Sequence, residues 1–395
     1  MKNEWQTVPL GKVLKRVKQE ISLDAAKIYK EVTVRLWNKG VVPRGEKQGI
    51  EIKTARYSIR AGQLILSRID VRNGAIGLVP TELDGAIVSG EFWTYEIDQT
   101  LLDSKFLEYC VAIPDFIEKS NQTSSGTTNR IRAEEELFLQ IEIPLPPLPE
   151  QQRIVARIEE LARRVEEARG LRKTAVEEAD ALLEIAVGKV FENQTPIEAR
   201  LLGRLATKIG SGSTPTGGRA SYPSSGIPFI RSQNVRMREF QMEGIAFIDE
   251  ATHKSMKGTI VQPNDVLLNI TGASIGRVAC VPDDLKEANI NQHVAIIRPT
   301  QELHPRYLMY WLSQPKIQEF INSEQKGATR QGFTKQQIEK FNVLLLPLDE
   351  QHRIVAHLDN LQQKVDELRR LQAATQKELD ALMPSILAKA FAGEL

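Results

Sequence analysis

The sequence predicts an α+β protein in which one unit, a β-rich domain followed by a long coiled-coil helix, is used twice. Three observations predict it. The segment PLPEQQRIVARIEELARRVEEARGL from Pro147 recurs without a gap as PLDEQHRIVAHLDNLQQKVDELRRL from Pro347, and 19 of the 45 positions from 147 to 191 are identical in the second copy. A repeat of that strength sets the architecture. Both copies carry apolar residues at a four-three spacing, the pattern of a helix–helix seam. Charge is also segregated: residues 197–346 hold 18 Lys and Arg against 13 Asp and Glu, whereas 149–192 hold 8 against 10 and 349–395 hold 6 against 8. The division that follows is a first domain over 1–146, a helix over 147–192, a second domain over 193–346 and a second helix over 347–395.

In the first domain AGQLILSRIDVRNGAIGLVP (61–80) reads as a turn, an aliphatic strand, a glycine-bearing turn and a second short strand. The stretch PNDVLLNITGASIGRVACVP (263–282) has the same plan in the second domain, and Leu10-Gly11-Lys12-Val13 matches Leu202-Gly203-Arg204-Leu205. Each helix begins where a proline-rich strand end stops, since proline is tolerated only before or within the first helical turn. Glu150 and Glu350 then sit at the positive end of the helix dipole. The packing stripe is Ile154, Ile158, Leu161 and Val165 in the first copy and Ile354, Leu358, Leu361, Val365 and Leu368 in the second. The next seam position is polar in both, Arg172 and Gln372, with Leu171 and Leu371 alongside as further packing residues. A helix of about 42 residues would be about 60 Å long, and Pro384 should end or kink the second near its close. Two copies tethered in one chain favour pairing with each other over pairing between molecules.

Composition excludes several classes. No apolar run approaches the roughly 20 residues of a membrane span, and MKNEWQTVPLGKV lacks the apolar core of a secretory signal, so a cytoplasmic protein is expected. Cys110 and Cys280, one in each half, offer neither a disulfide framework nor a zinc pair. The net charge of +1 hides an uneven first domain: residues 1–80 carry 16 basic and 7 acidic side chains, residues 81–146 carry 4 and 13. Gly272-Ala273-Ser274-Ile275-Gly276 matches the GxSxG of hydrolases, with His293 and Asp283 or Asp284 downstream. That motif needs a helix after the serine, and IGRVACVP reads as a strand. Phosphate-binding glycine loops and clustered metal ligands are missing from the sequence.

The two helix starts, PLPEQQRIVARI and PLDEQHRIVAHL, together with GSGSTPTGG (210–218), GIPFIRSQNV (226–235) and the ending SILAKAFAGEL (385–395), resemble the specificity subunit of type I restriction–modification enzymes along the whole chain. The first domain departs from the pattern in lacking a GSTP-like loop. The resemblance implies two target recognition domains separated by two long antiparallel helices, with a pseudo-twofold internal repeat. It implies as partners double-stranded DNA carrying a bipartite asymmetric site, two adenine methyltransferase (modification) subunits and restriction/translocase subunits, with no membrane. No cofactor is expected on this chain, S-adenosylmethionine, ATP and Mg being expected on the partner subunits, and no catalytic or metal site is expected either. Two similar units related by a twofold axis suit the twofold geometry of a duplex, with helix length setting the separation of the half-sites. The alternative is a coiled-coil structural adaptor whose globular ends bind proteins.

A DNA reader needs cations and amides for phosphates, and bidentate Arg, Asn or Gln for bases. In the second domain the candidates are Ser213, Thr214 and Arg219 of the glycine-rich loop, then Arg231, Gln233, Asn234 and Arg236 after an apolar strand, then Lys326, Thr329 and Arg330. In the first they are Arg35, Lys39, Arg44, Lys47, Arg56, Arg68 and Arg72, with Ser125, Thr127, Asn129 and Arg130 matching the last group.

Overall fold

A computed structural model of the chain describes residues 5–125, 132–192, 198–215, 222–325 and 332–395. It separates into two compact units, residues 1–171 with 373–395 and residues 172–372. The boundary therefore falls inside both long helices, and each unit owns a part of each.

In the first unit the hairpin foreseen at 61–80 is present as Leu64–Ser67 paired with Ile76–Leu78. It lies in an antiparallel sheet ordered Leu14–Val17, Phe92–Ile97, Leu64–Ser67, Ile76–Leu78. Every residue of Leu64–Ser67 is buried, as a strand covered on both faces requires. A second sheet orders Val41–Gln48, Ile28–Val34, Ile87–Val88, Arg56–Ser58 and Glu20–Ile21, with one parallel contact, Ile28–Val34 against Ile87–Val88. The core gathers Leu64, Leu66, Trp93, Tyr95, Phe106 and Phe138, and it also contains Ile154 and Ile158 of one long helix and Leu387 and Ala390 of the other.

The second unit repeats the plan. Its hairpin is Val266–Asn269 with Val278–Cys280, in a sheet ordered Ala206–Ser211, Val294–Pro299, Val266–Asn269, Val278–Cys280. Its other sheet orders Ala246–Ile248, Ile227–Ile230, Ala288–Ile290 and Ile260–Val261, and Ile227–Ile230 runs parallel to Ala288–Ile290. Strand order and sense match four strands of the second sheet of the first unit, Glu20–Ile21 being additional there. The core joins Tyr307, Leu308 and Phe341 to Leu183, Val187 and Phe191 of the first long helix and Ile354, Leu358 and Val365 of the second.

The long helices span Leu148–Glu192 and Leu348–Phe391. Pro384 does not end the second, which continues to Phe391. In the first unit Arg169 Nη2 meets Asp380 at 3.1 Å and Arg153 Nη2 donates to the Leu395 carbonyl at 2.8 Å, so the segments pair antiparallel. In the second, Asp180 meets Arg369 at 2.7 Å, while Arg238 bridges Glu184 at 2.6 Å and Gln362 at 3.2 Å, again antiparallel. Ile154, Ile158, Val165, Ile354, Leu358 and Val365 are buried, and Leu161, Leu361 and Leu368 are half-buried. Leu171 and Leu371 are corrected: they are 67% and 50% exposed. The seam runs through Arg172, whose guanidinium donates to the Gln372 carbonyl, and a neighbour one residue away sits about 100° round the helix.

Each helix start is fastened to its domain by a buried glutamine. Gln151 Nε2 donates to the carbonyls of Leu101 and Pro146, both at 2.8 Å, and its Oε1 accepts from the Asp103 N–H at 2.7 Å. Gln351 does the same with Glu302 (2.9 Å), Leu346 (2.7 Å) and the His304 N–H (2.8 Å). Both amides are fully enclosed.

Candidate nucleic-acid interface

Parallel strands release their following loops at the same edge, and ligand sites in open sheets tend to form outside such carboxyl ends. In the second unit the strands Ile227–Ile230 and Ala288–Ile290 deliver Arg231-Ser232-Gln233-Asn234 and Asn291-Gln292-His293 side by side, joined by the Asn291 N–H donating to the Ile230 carbonyl at 3.0 Å. The turn of the adjoining hairpin, Gly272–Ser274, completes the edge. A cavity of about 460 Å³ opens there, lined by Ser232, Gln233, Thr271, Ser274, Arg277 and His293, with no carboxylate among the described residues that line it.

Within this edge the polar side chains form a chain. The Thr214 hydroxyl bonds Gln292 Oε1, Gln292 Nε2 lies 3.0 Å from His293 Nε2, and His293 Nδ1 bonds the Thr271 hydroxyl. Gly212 anchors the loop that brings Thr214 in, because a Cβ there would sit 2.0 Å from the Ile290 carbonyl oxygen. Gln292 is exposed. With one donor and one acceptor engaged, its amide keeps one N–H and one lone pair for a base edge. Gln233 is exposed and its Nε2 rests on the Gly244 carbonyl at 3.3 Å. Arg231 is half-buried, donating to the same carbonyl at 2.9 Å beneath the Tyr222 ring.

Asn234 is corrected as a base reader. It is fully buried, its Oδ1 accepting from the Arg231 N–H at 3.1 Å and its Nδ2 donating to the Gln241 carbonyl at 3.0 Å, so the amide shapes the loop from beneath. Arg236, Ser213 and Thr214 are exposed. Arg219, Lys326, Thr329 and Arg330 lie outside the described residues, as do Thr127, Asn129, Arg130 and the side chain of Ser125. Sequence reasoning missed Gln292, Thr271 and Arg277 and weighed His293 only as a catalytic or metal-binding group. A weak signal was there: NQH follows Ala288-Asn289-Ile290, apolar at its ends only, as RSQN follows IPFI. Ser274 is followed by the strand Val278–Cys280, and His293 bonds Thr271, so no hydrolase triad forms.

In the first unit the matching strand, Ile28–Val34, leads into a hairpin tip carrying Arg35 and Lys39, both exposed. Its backbone bonds the turn that follows Arg72: the Trp37 N–H donates to the Asn73 carbonyl at 2.8 Å. Arg44 is exposed on the next strand. Arg56 is corrected: its guanidinium pairs with Glu31 at 3.0 Å and is 12% exposed, and Lys47 pairs with the same carboxylate at 3.0 Å. Burial alone would raise the Glu31 carboxyl, but hydrogen bonds from Lys47 and Arg56 outweigh it and hold it below the ordinary value. Arg68 is half-buried with its guanidinium 5.4 Å from the Trp93 ring centre. Among the described residues no cluster of three or more His, Cys, Asp or Glu could hold a metal ion, and no helix is long and apolar enough to cross a membrane.

A family model described as "Type I restriction modification DNA specificity domain" matches residues 2–175 and again 198–376. The chain belongs to this family. The two matches coincide with the two copies of the internal repeat, so each copy is a specificity domain in its own right. Among curated relatives, the chain is 25% identical over 344 residues to the type I restriction enzyme EcoBI specificity subunit of Escherichia coli, covering 78% of this chain and 69% of that one. It is 26% identical over 315 residues to the EcoKI specificity subunit of Escherichia coli strain K12, covering 75% and 67%. Among solved structures it matches the HsdS subunit from Thermoanaerobacter tengcongensis with a TM-score of 0.63 and 27% identity, over 100% of this chain and 98% of that one. A chain from a structure described as showing complex assembly and conformational transition of the type I R-M system gives a TM-score of 0.72 and 28% identity, over 99% and 98%.

Proposed function

We propose that this specificity-family chain is the DNA-reading, non-catalytic subunit of a cytoplasmic type I restriction–modification assembly, each domain reading one half of a bipartite asymmetric site. The observation that carries the reading is the paired-loop edge of the second unit, where parallel strands bring Gln, Arg and hydroxyl side chains together. Its partners are double-stranded DNA, two adenine methyltransferase subunits and the restriction subunits. S-adenosylmethionine, ATP and Mg belong on those partners. A protein-binding adaptor would not call for a cavity lined by an amide, hydroxyls, an imidazole and an arginine, with no carboxylate among its described lining residues.

The roles divide by chemistry. Gln233 and Gln292 read base edges, for which Gln suits adenine, and Arg236 and Arg277 hold phosphates. The test uses the chain assembled with its modification subunits and a duplex pool randomised through the recognised site. The wild-type assembly should select two separated blocks of bases. The double variant Gln233→Ala, Gln292→Ala should lose preference at one or two positions of one block and keep the other. Arg236→Ala should weaken binding to every sequence alike and lower the salt slope by about one unit. Selection unchanged by the double variant would refute these readers, and an unselected pool would refute DNA reading itself.

A further inference from the structure

The tip of the first-unit hairpin is built against conformational preference. Strands Ile28–Val34 and Val41–Gln48 are joined by residues 35–40, and the inner turn closes with the Lys39 N–H donating to the Leu36 carbonyl at 3.4 Å. Its two central residues, Trp37 and Asn38, have φ of +60° and +51°. Two successive positive φ values make a type I′ turn, whose first central position favours Asn, Asp or Gly. For a bulky aromatic this backbone is an outlier, and such strain persists only where the surroundings impose it. Here they do. The Trp37 and Asn38 N–H groups donate to the carbonyls of Asn73 and Gly74 at 2.8 and 2.9 Å, and Gly74, at φ +72°, passes so close that a Cβ would lie 3.3 Å from the Trp37 Cα.

The clamped turn holds an indole out in water. Trp37 is 63% exposed, whereas Trp93 and Trp311 are 5% exposed. Arg35 and Lys39 flank it, both exposed, and Arg72 lies in the adjacent turn. None of these three cations forms an ion pair with another described residue. The tip follows the strand that corresponds, in order and sense, to the one ahead of Arg231–Asn234 in the second unit.

We propose that Trp37 is a DNA wedge: its ring enters the base stack of one half-site, while Arg35 and Lys39 hold phosphates on either side. The inference rests on the DNA-reading proposal above. Aromatic and apolar side chains that unstack a base step kink a duplex without reading its sequence, and stacking on an aromatic ring accepts any base. A rigid tip is what such a group needs, because an indole already fixed in place loses little freedom on insertion. A protein groove could also take an indole, but it would not require three cations around it that have no ion-pair partner among the described residues.

The test again uses the chain assembled with its modification subunits, on specific duplexes carrying 2-aminopurine at successive adenine positions through the site. Trp37→Asn removes the ring and places a residue suited to the turn, so the hairpin is kept; Trp37→Phe restores a ring. Beyond the target adenines that the methyltransferase subunits turn out of the stack, the wild type should brighten 2-aminopurine at one further step. W37N should abolish that rise and weaken specific binding about tenfold or more, and W37F should recover most of both. Unchanged brightening and affinity in W37N would overturn the wedge. So would a W37N chain that folds but no longer joins its modification subunits, since the tip would then face protein. A wild-type assembly with no sequence preference would instead overturn the DNA-reading proposal, and this inference with it.

Discussion

Glu31 shows how a single residue decides what its neighbours can do. Nearly enclosed beneath Arg56 and Lys47, it converts two cations that read as phosphate ligands into one structural cluster. Because its carboxyl is held below the ordinary value of 4.5, its contribution to stability is present above that value and lost as the pH falls through the lowered one. Glu31→Gln should therefore be less stable than the wild type at neutral pH, and the gap should close as acid titrates the wild type. Thermal melts of the two proteins between pH 7 and pH 3 check this, and a gap that stays constant would refute it. The same logic explains which site residues were legible. Arg35, Lys39 and Arg236, singled out by charge and position as DNA-binding candidates, are exposed. Asn234 was misread because an amide after a strand can serve a base or its own loop, and only the fold shows which carbonyl lies within reach. Gln292 was missed because its place beside Gln233 depends on a parallel pairing between strands some 60 residues apart.

At the scale of elements, the long helices were the most legible part, since a seam repeats in the sequence whatever it packs against. Their starts, near Leu148 and Leu348, follow the prolines as expected. What the stripe touches was not legible: Ile154 and Ile158 enter a domain core as well as facing the other helix. The buried glutamines make these joints stiff. Gln151→Ala would leave the Leu101 and Pro146 carbonyls and the Asp103 N–H without this partner, and the buried Pro146 carbonyl alone would cost roughly 1–3 kcal/mol. Gln351→Ala would do the same to its own partners in the second unit. Hydrogen exchange should report lost protection around Leu101–Asp103 in the first variant and around Glu302–His304 in the second. Protection lost equally at both places in either variant would contradict two independent joints.

For the whole molecule, the repeat was visible and its partition was not, because the units are defined by which helix segments come together. The first unit takes residues 373–395 from the far end of the chain, and the second is the continuous stretch 172–372. Leu387→Ala should accordingly weaken the N-terminal domain, by about 2–5 kcal/mol if the cavity does not collapse. Pulse proteolysis with mass mapping of the fragments should then show residues 5–125 becoming labile while 222–325 stay protected. The opposite order would refute the partition. The arrangement also fixes an order of manufacture. When the ribosome has added residue 372, every residue of the second unit exists, but the first unit still lacks Leu387 and Ala390, although its own domain was made earliest. A chain that reaches only residue 372 thus carries one finished unit and one unfinished, and the first domain gains its full stability only once residues 373–395 are added.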